Sequence, residues 1–289
     1  MKFAAVWVGL AGFDRPDVKS RLEPELLNTF QFAQSGVLKL ANDIEVLASA
    51  GNSDSAQKND SVISLVAGTG SIAIRYVQDA ASDSGWIRDT RSGGWGHMLG
   101  DDGSGYDLGR QAIRFTLYAL DELRAMAPAG SKQLSSETIK QHLSPLSQRV
   151  LEHFGLHASG SNNYDLLSNI LTSDPSGSPK NKIAQIARLV LESYSQQGDS
   201  SCPDENAEQI ISAGVAGLIR TIKPLVKSPF NPSSSTLVLS GGLLSSENDV
   251  YRSALLSKLD SEGIGFGEVK TIRNPAKLGA EVLAKRHFA

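Results

Sequence analysis

Only one cysteine, Cys202, occurs in 289 residues. That scarcity excludes an intramolecular disulfide framework and any cysteine-only metal or iron–sulfur site within one chain, and it fits a reducing cytoplasm. An excess of one charge is missing too, since 28 Lys and Arg against 31 Asp and Glu leave a net charge of −3. Such a surface gives no basic field, so no nucleic acid and no anionic membrane is expected as a partner. No run approaches the ~20 apolar residues that a bilayer crossing takes. Lys2 and the short apolar run to Gly12 have the look of a leader, yet Asp14, Arg15, Pro16 and Asp17 follow without a cleavage signal. The patterns G-x-x-x-x-G-K-[ST], G-x-S-x-G and H-E-x-x-H do not occur, which argues against a P-loop nucleotidase, an α/β-hydrolase and a zincin. Asp101-Asp102-Gly103 lacks the later acidic ligands of an EF-hand. There is no internal repeat.

What is present reads as alternating strands and helices. With 40% hydrophobic and 20% charged residues the chain can bury one large or two modest cores. Phe3 to Val8 reads as a buried strand ending in the turn Gly9 to Gly12. A helix is expected over Glu23 to Ala33, a short strand over Val37 to Leu40, and a helix from Asn42-Asp43 into Ala48. Val62 to Ala67 and Ile72 to Val77 form a hairpin around Gly68-Thr69-Gly70-Ser71. Leu108, Ala112, Phe115 and Ala119 recur at helical spacing, and helices are expected on to about Lys227. Ala127 to Glu137 and Leu171 to Lys182 read as exposed connections. A helix over Glu208 to Val226 has an apolar face, with Ala213, Gly214, Ala216 and Gly217 allowing tight packing or the approach of a flat ligand. A strand at Thr236 to Ser240, a helix, a strand near Val269 to Ile272 and a helix from Leu278 complete an α/β pattern.

The densest chemistry lies in Arg91 to Gly109, where seven glycines accompany His97, Asp101, Asp102 and Asp107. Without apolar periodicity, such a stretch reads as a binding surface shaped by backbone. The Gly68 to Ser71 turn offers consecutive amides together with the Thr69 and Ser71 hydroxyls, a set suited to phosphate oxygens or to a purely structural hairpin. Ser240-Gly241-Gly242, after an apolar strand, removes side chains where a flat purine could lie against main chain.

Taken in order, N-D, G-T-G-S, G-G-W-G-H-M-L-G-D-D-G-S and a distal S-G-G resemble the N-acetylglucosamine kinases of the BadF/BadG/BcrA/BcrD ATPase family. The resemblance runs from Val8 to Ala280. It implies a two-domain, ribonuclease H-like ATPase fold of the actin, sugar kinase and Hsp70 superfamily, with mixed sheets. The domains expected are residues 1–55 with 279–289, and 56–278. The activity implied is phosphorylation of N-acetyl-D-glucosamine at its 6-hydroxyl, with ATP and Mg²⁺. Asp43 matches the catalytic aspartate, which can orient the hydroxyl and take its proton; read without the motif it is a helix N-cap. Gly12, Asn42, Ser92, Gly93, Gly94 and Asp101 match the sugar side. Gly68, Thr69, Gly70, Ser71, Gly214, Gly241 and Gly242 match the nucleotide side. Trp95 and His97 read as bracing residues. The iron–sulfur branch of the family is excluded by the lone cysteine.

One feature of that superfamily is not found here, the early D-G-G-G-T turn that grips the β- and γ-phosphates. The resemblance therefore implies an incomplete N-terminal domain, weakened phosphate positioning and an unpaired sheet edge. A second reading is a non-catalytic amino-sugar or nucleotide binding protein. A homodimer is the commonest assembly to expect.

Overall fold

The computed structural model describes residues 2–10, 17–51, 59–80, 85–126, 135–156, 166–172, 177–195, 204–245, 247 and 249–288. Among them are two sheets. The smaller pairs β1 (Phe3–Gly9) in parallel with β2 (Phe32–Ala41), the two being joined through α1 (Val18–Thr29). The strand at Val37 to Leu40 is thus longer than its pattern suggests, and the helix expected over Glu23 to Ala33 begins earlier and stops at Thr29. A short helix, α2 (Glu45–Ala48), and the 3-10 turn Ser49–Gly51 follow.

The larger sheet has five strands, β3 (Ser61–Ala67), β4 (Ser71–Gln78), β5 (Trp86–Gly93), β6 (Ser235–Ser240) and β7 (Glu268–Ile272). Their spatial order is β5-β4-β3-β6-β7. β4 runs antiparallel to β3 and to β5, whereas β6 is parallel to β3 and to β7. β3 is buried on both faces, which explains why its sequence is mostly apolar and does not alternate, with Ser64 as the polar exception within Val62 to Ala67. Ile63, Leu65, Leu237 and Leu239 face the main helical core, and Val62 and Val238 face the opposite way, into a smaller core.

The main core is built from α3 (Gly105–Met126), α4 (Ser136–His142), α5 (Pro145–His153), α6 (Leu166–Leu171), α7 (Pro179–Gln185), α8 (Ala187–Ser195), α9 (Glu205–Ile222) and α10 (Val250–Ser261). Each contributes an apolar stripe, such as Leu108, Ala112 and Leu120 of α3 and Ile211, Val215, Leu218 and Ile222 of α9. α9 and the turn after it, Glu205–Val226, form the one described helix long and apolar enough to cross a membrane, and its apolar stripe lies in this core. The smaller core sets Leu47 and Ala48 of α2 against Ile74, Tyr76 and Trp86 of the sheet. Leu278 of α11 (Pro275–Phe288) packs there too, while α11 also lies along β1.

Two expectations fail in this region. Lys182, placed by its sequence neighbours in an exposed connection, is buried in α7, where its Nζ donates to the carbonyls of Asn169 (3.2 Å) and Thr172 (2.9 Å). The stretch from Arg91 does not open as a free surface either, since Arg91 to Gly93 are the last residues of β5.

Candidate active site

Strand register brings the glycine turns together. Val66 pairs with Ser240, and Ser240 with Ile272, so the parallel strands β3, β6 and β7 end side by side. Across the hairpin, Ala67 pairs with Ser71 and Ile72 with Gly93. Gly68 to Gly70, Gly93-Gly94 and Gly241-Gly242 therefore leave the same edge of one sheet. Ligands of α/β sheets bind in the crevice beyond the carboxyl ends of parallel strands, and this edge is that crevice.

The first turn is tight, with the Gly68 amide donating to the Gly70 carbonyl at 2.9 Å. Its other carbonyls accept bonds from the start of α3, Gly105 N–H to Gly68 (2.7 Å) and Tyr106 N–H to Thr69 (3.3 Å). The amides of Thr69 and Gly70 have no hydrogen-bond partner among the described residues. An exposed pair of unsatisfied donors on a turn is what an anion needs. Ser71 differs from expectation, because its hydroxyl donates to the Asp102 carbonyl (2.8 Å) and its amide to Asp101 Oδ1 (3.2 Å). Ser71 thus anchors the turn, and Thr69 supplies the exposed hydroxyl.

Gly241 and Gly242 act differently from one another. Gly241 has φ +91°, and a Cβ there would lie 2.5 Å from the Ala67 carbonyl oxygen. Only glycine lets the chain cross β3 at that height. At Gly242 a Cβ would meet nothing within 4 Å. Gly242 instead lines a cavity of about 450 Å³ with Gly68, Thr69, Gly105, Asn181, Ala184, Gln185 and Leu243. Through Ala184, Gln185, Gly242 and Leu243 that cavity adjoins a second of about 510 Å³, which reaches His153, Arg188, Leu191 and Glu192. One end of the joined cleft offers turn amides; the other is mainly apolar with a charged rim. Glu192 on the rim pairs with Arg149 and, at 3.7 Å, with Arg188. Partial burial, helped by Arg188, holds the His153 imidazole below its ordinary value of 6.5.

The sequence shows nothing of α7 and α8 as cleft walls. What places them there is Gly109 of α3, where a Cβ would lie 1.9 Å from the Ile183 carbonyl oxygen. α3 and α7 cross at backbone contact, which sets Ala184 and Gln185 over the first turn. Gly214, expected at the nucleotide, is instead buried inside α9, where a Cβ would lie 2.7 Å from the Tyr251 hydroxyl and 2.8 Å from Leu108. Its small size serves helix packing. The Tyr251 hydroxyl donates to the Gly103 carbonyl (2.9 Å), and burial together with the nearby Asp107 raises it well above its ordinary value of 10.0.

On the other sheet, Asp43 is exposed between β2 and α2. It is not the helix cap. The residue before α2 is Ile44, and Asn42 makes the turn ahead of it, its Oδ1 accepting the Ile44 amide at 3.1 Å and its carbonyl the Glu45 amide at 3.0 Å. Gly9, at the end of β1, leaves space beside the Asp43 backbone, since a Cβ there would be 3.1 Å from Asp43 Cα. Asp43 also borders a hollow of about 550 Å³ whose other walls include Trp7, Phe30, Val46, Pro275 and Gly279. Ile44 is buried in the cluster that holds Val66 and Ile72 of the hairpin, so the Asp43 junction is tied to the strands flanking the first turn. Gly12 lies outside the described residues. Ser92 and Gly93 end β5 and Gly94 follows it, with Gly93 and Gly94 at φ +73° and +70° and the Gly94 amide donating to the Ser71 carbonyl (3.2 Å). Asp101 is only 6% exposed, and its carboxylate is turned toward the first turn. No group of three or more His, Cys, Asp or Glu suited to a metal ion occurs among the described residues.

No family model matches the chain. It is 26% identical over 288 residues to an N-acetylmuramic acid/N-acetylglucosamine kinase of Clostridium acetobutylicum, covering 98% of this chain and 77% of that protein. It is 28% identical over 282 residues to an N-acetyl-D-glucosamine kinase of Dictyostelium discoideum, covering 97% of this chain and 75% of that one. Among solved structures, a Porphyromonas gingivalis protein assigned as an N-acetylglucosamine kinase aligns with a TM-score of 0.64 at 16% identity, over 98% of this chain and 78% of that one. One from Chromobacterium violaceum, assigned likewise, aligns with a TM-score of 0.60 at 20% identity, over 98% and 77%. The sequence likeness thus extends over nearly the whole chain, and the fold is that of these two solved proteins.

Proposed function

We propose that this chain is an ATP-dependent sugar kinase that phosphorylates N-acetyl-D-glucosamine at its 6-hydroxyl in the cytoplasm. The observation that carries the proposal is the joined cleft in which the Gly68 to Gly70 turn and Gly242 meet. The triphosphate lies on the Thr69 and Gly70 amides, where oriented N–H groups favour negative charge. The nucleoside runs past Gly242 toward Gln185 and Arg188.

Asp43 is the base in this reading. It orients the sugar hydroxyl and takes its proton as the oxygen bonds to the γ-phosphorus, while the bond from that phosphorus to the β–γ bridging oxygen breaks and ADP leaves. Ser92 to Gly94 and Asn42 line the sugar side, and two lobes, residues 1–55 with 279–289 and residues 56–278, close on the pair of substrates. When bound with ATP, Mg²⁺ would neutralise charge on the phosphates. It would keep several waters and take one or two carboxylates beside phosphate oxygens. Asp43 is the exposed carboxylate able to share in holding it.

The test is an ADP-release assay with Mg-ATP and N-acetylglucosamine. Sugar-dependent turnover is expected, and Asp43→Asn should lower kcat by about 10²-fold or more with nucleotide affinity little changed. Full turnover by Asp43→Asn would show that another group is the base. Sugar binding with no turnover by the unaltered chain would make it a binding protein.

A further inference from the structure

Asp101 to Tyr106 underlies the Gly68 to Ser71 turn through four hydrogen bonds. Ser71 donates its amide to Asp101 Oδ1 and its hydroxyl to the Asp102 carbonyl, while the Gly105 and Tyr106 amides donate to the Gly68 and Thr69 carbonyls. Three of the four use the backbone of residues 102–106 and so need no polar side chain there. The fourth uses the Asp101 carboxylate.

Two unfavourable terms act against an aspartate here. Asp101 is the one non-glycine residue with positive φ among the described residues, at +62°, and it is nine-tenths buried. A left-handed backbone is uncommon outside glycine, even though aspartate adopts it more readily than most, and burying a carboxylate is unfavourable unless hydrogen bonds hold it. A residue kept against both terms points to a function for the conformation. The carboxylate also fills the space above the turn, because a Cβ on Gly70 would lie 2.9 Å from Oδ2. Aspartate at 101 and glycine at 70 are matched in shape.

We infer that Asp101 is a positioning residue for the nucleotide. Its carboxylate fixes the turn so that the Thr69 and Gly70 amides stay directed at phosphate, whether or not sugar is present. It belongs to the loop that continues from Gly93-Gly94, so it ties the sugar side of the site to the nucleotide side. The inference rests on the kinase reading above, and it differs from a role as a sugar ligand, which would act only on sugar affinity.

The experiment is calorimetric titration of the full chain with a non-hydrolysable Mg-ATP analogue in the absence of sugar. Asp101→Gly removes the carboxylate while suiting the positive φ, and should weaken binding at least about tenfold, the effect of losing one charge-assisted hydrogen bond. Asp101→Asn keeps an acceptor oxygen in place and should bind within about threefold of the unaltered chain. Gly70→Ala, which displaces the carboxylate from the other side, should match Asp101→Gly, and it serves where that variant does not fold. The double variant should bind no worse than Asp101→Gly alone. Unchanged affinity in folded Asp101→Gly or Gly70→Ala overturns the inference, as does equal loss in Asp101→Asn and Asp101→Gly. An unaltered chain that binds no analogue overturns the nucleotide reading of the cleft, and this inference with it.

Discussion

Gly241 and Gly242 are neighbours of the same type, yet the structure assigns them opposite sensitivities. Alanine at 241 must adopt φ +91° and place its Cβ 2.5 Å from the Ala67 oxygen and 2.6 Å from the Ala67 carbonyl carbon. The atoms met are β3 backbone, fixed by pairing with both β4 and β6, so nothing nearby can swing away. Backbone strain of about 1–2 kcal/mol and overpacking of about 1–3 kcal/mol add to roughly 2–5 kcal/mol. At about 2–4 °C per kcal/mol for a chain of this size, Tm should fall by roughly 4–20 °C. Gly242→Leu meets no protein atom at its Cβ, so it should change stability by less than about 1 kcal/mol. Its side chain would project into the cleft that Gly242 lines and should raise the nucleotide KM at least about tenfold, since it fills space a bound ligand needs. Urea unfolding with ADP-release kinetics on both variants separates the two effects. A stable Gly241→Ala, or a Gly242→Leu with unaltered nucleotide KM, would refute the reasoning at that position.

Three further outcomes follow from the same geometry. Gly109→Ala puts a methyl 1.9 Å from the Ile183 oxygen; it should cost about 3 kcal/mol and raise the nucleotide KM by moving α7, measured by unfolding and kinetics together. Tyr251→Phe removes the donor to the Gly103 carbonyl and should cost about 1–2 kcal/mol in urea unfolding; a loss below a few tenths would mean that the carbonyl finds another donor. The His153 imidazole is held below 6.5 in the folded chain, so the unfolded state takes up the proton first as pH falls. Stability from this group is therefore complete above 6.5 and is lost below it, and between about pH 7.5 and about pH 5.5 the unaltered chain should lose stability relative to His153→Gln. Parallel curves for the two would rule the effect out.

Burial was the part of the fold that the sequence displayed. Val62 to Ala67, Ile72 to Val77 and Thr236 to Ser240 are strands close to where their apolar runs put them, because each is covered by core on at least one face. β5 has no such signature. It is an edge strand, and in Trp86–Gly93 only Trp86 is buried; apolar periodicity reports what is covered, while backbone pairing at an edge leaves no mark on side-chain type. The same limit separates the glycines. Gly241 and Gly214 look alike as letters, but one is required by φ and the Ala67 carbonyl and the other by Tyr251 and Leu108, contacts from elements far away in the chain.

On the proposed reading the site is spread over both sheets, for a related reason. A phosphate turn needs amides that no neighbour uses, and the hairpin at Gly68 to Ser71 obtains them only because its carbonyls and Ser71 are satisfied from the Asp101 to Tyr106 segment. A base needs a carboxylate that is not capping its own helix. Ahead of α2, Asn42 closes the turn with its own side chain, which accepts the Ile44 amide. At the turn, amides are left for a ligand because an adjacent segment takes up the turn's carbonyls and Ser71, and the order G-T-G-S alone does not reveal which of its members are so held. Asn42→Ala tests the part that the Asn42 turn plays: losing the bond to the Ile44 amide should loosen the Asp43 junction and lower kcat with little change in nucleotide KM, whereas unaltered kcat would mean that the turn has no part in catalysis.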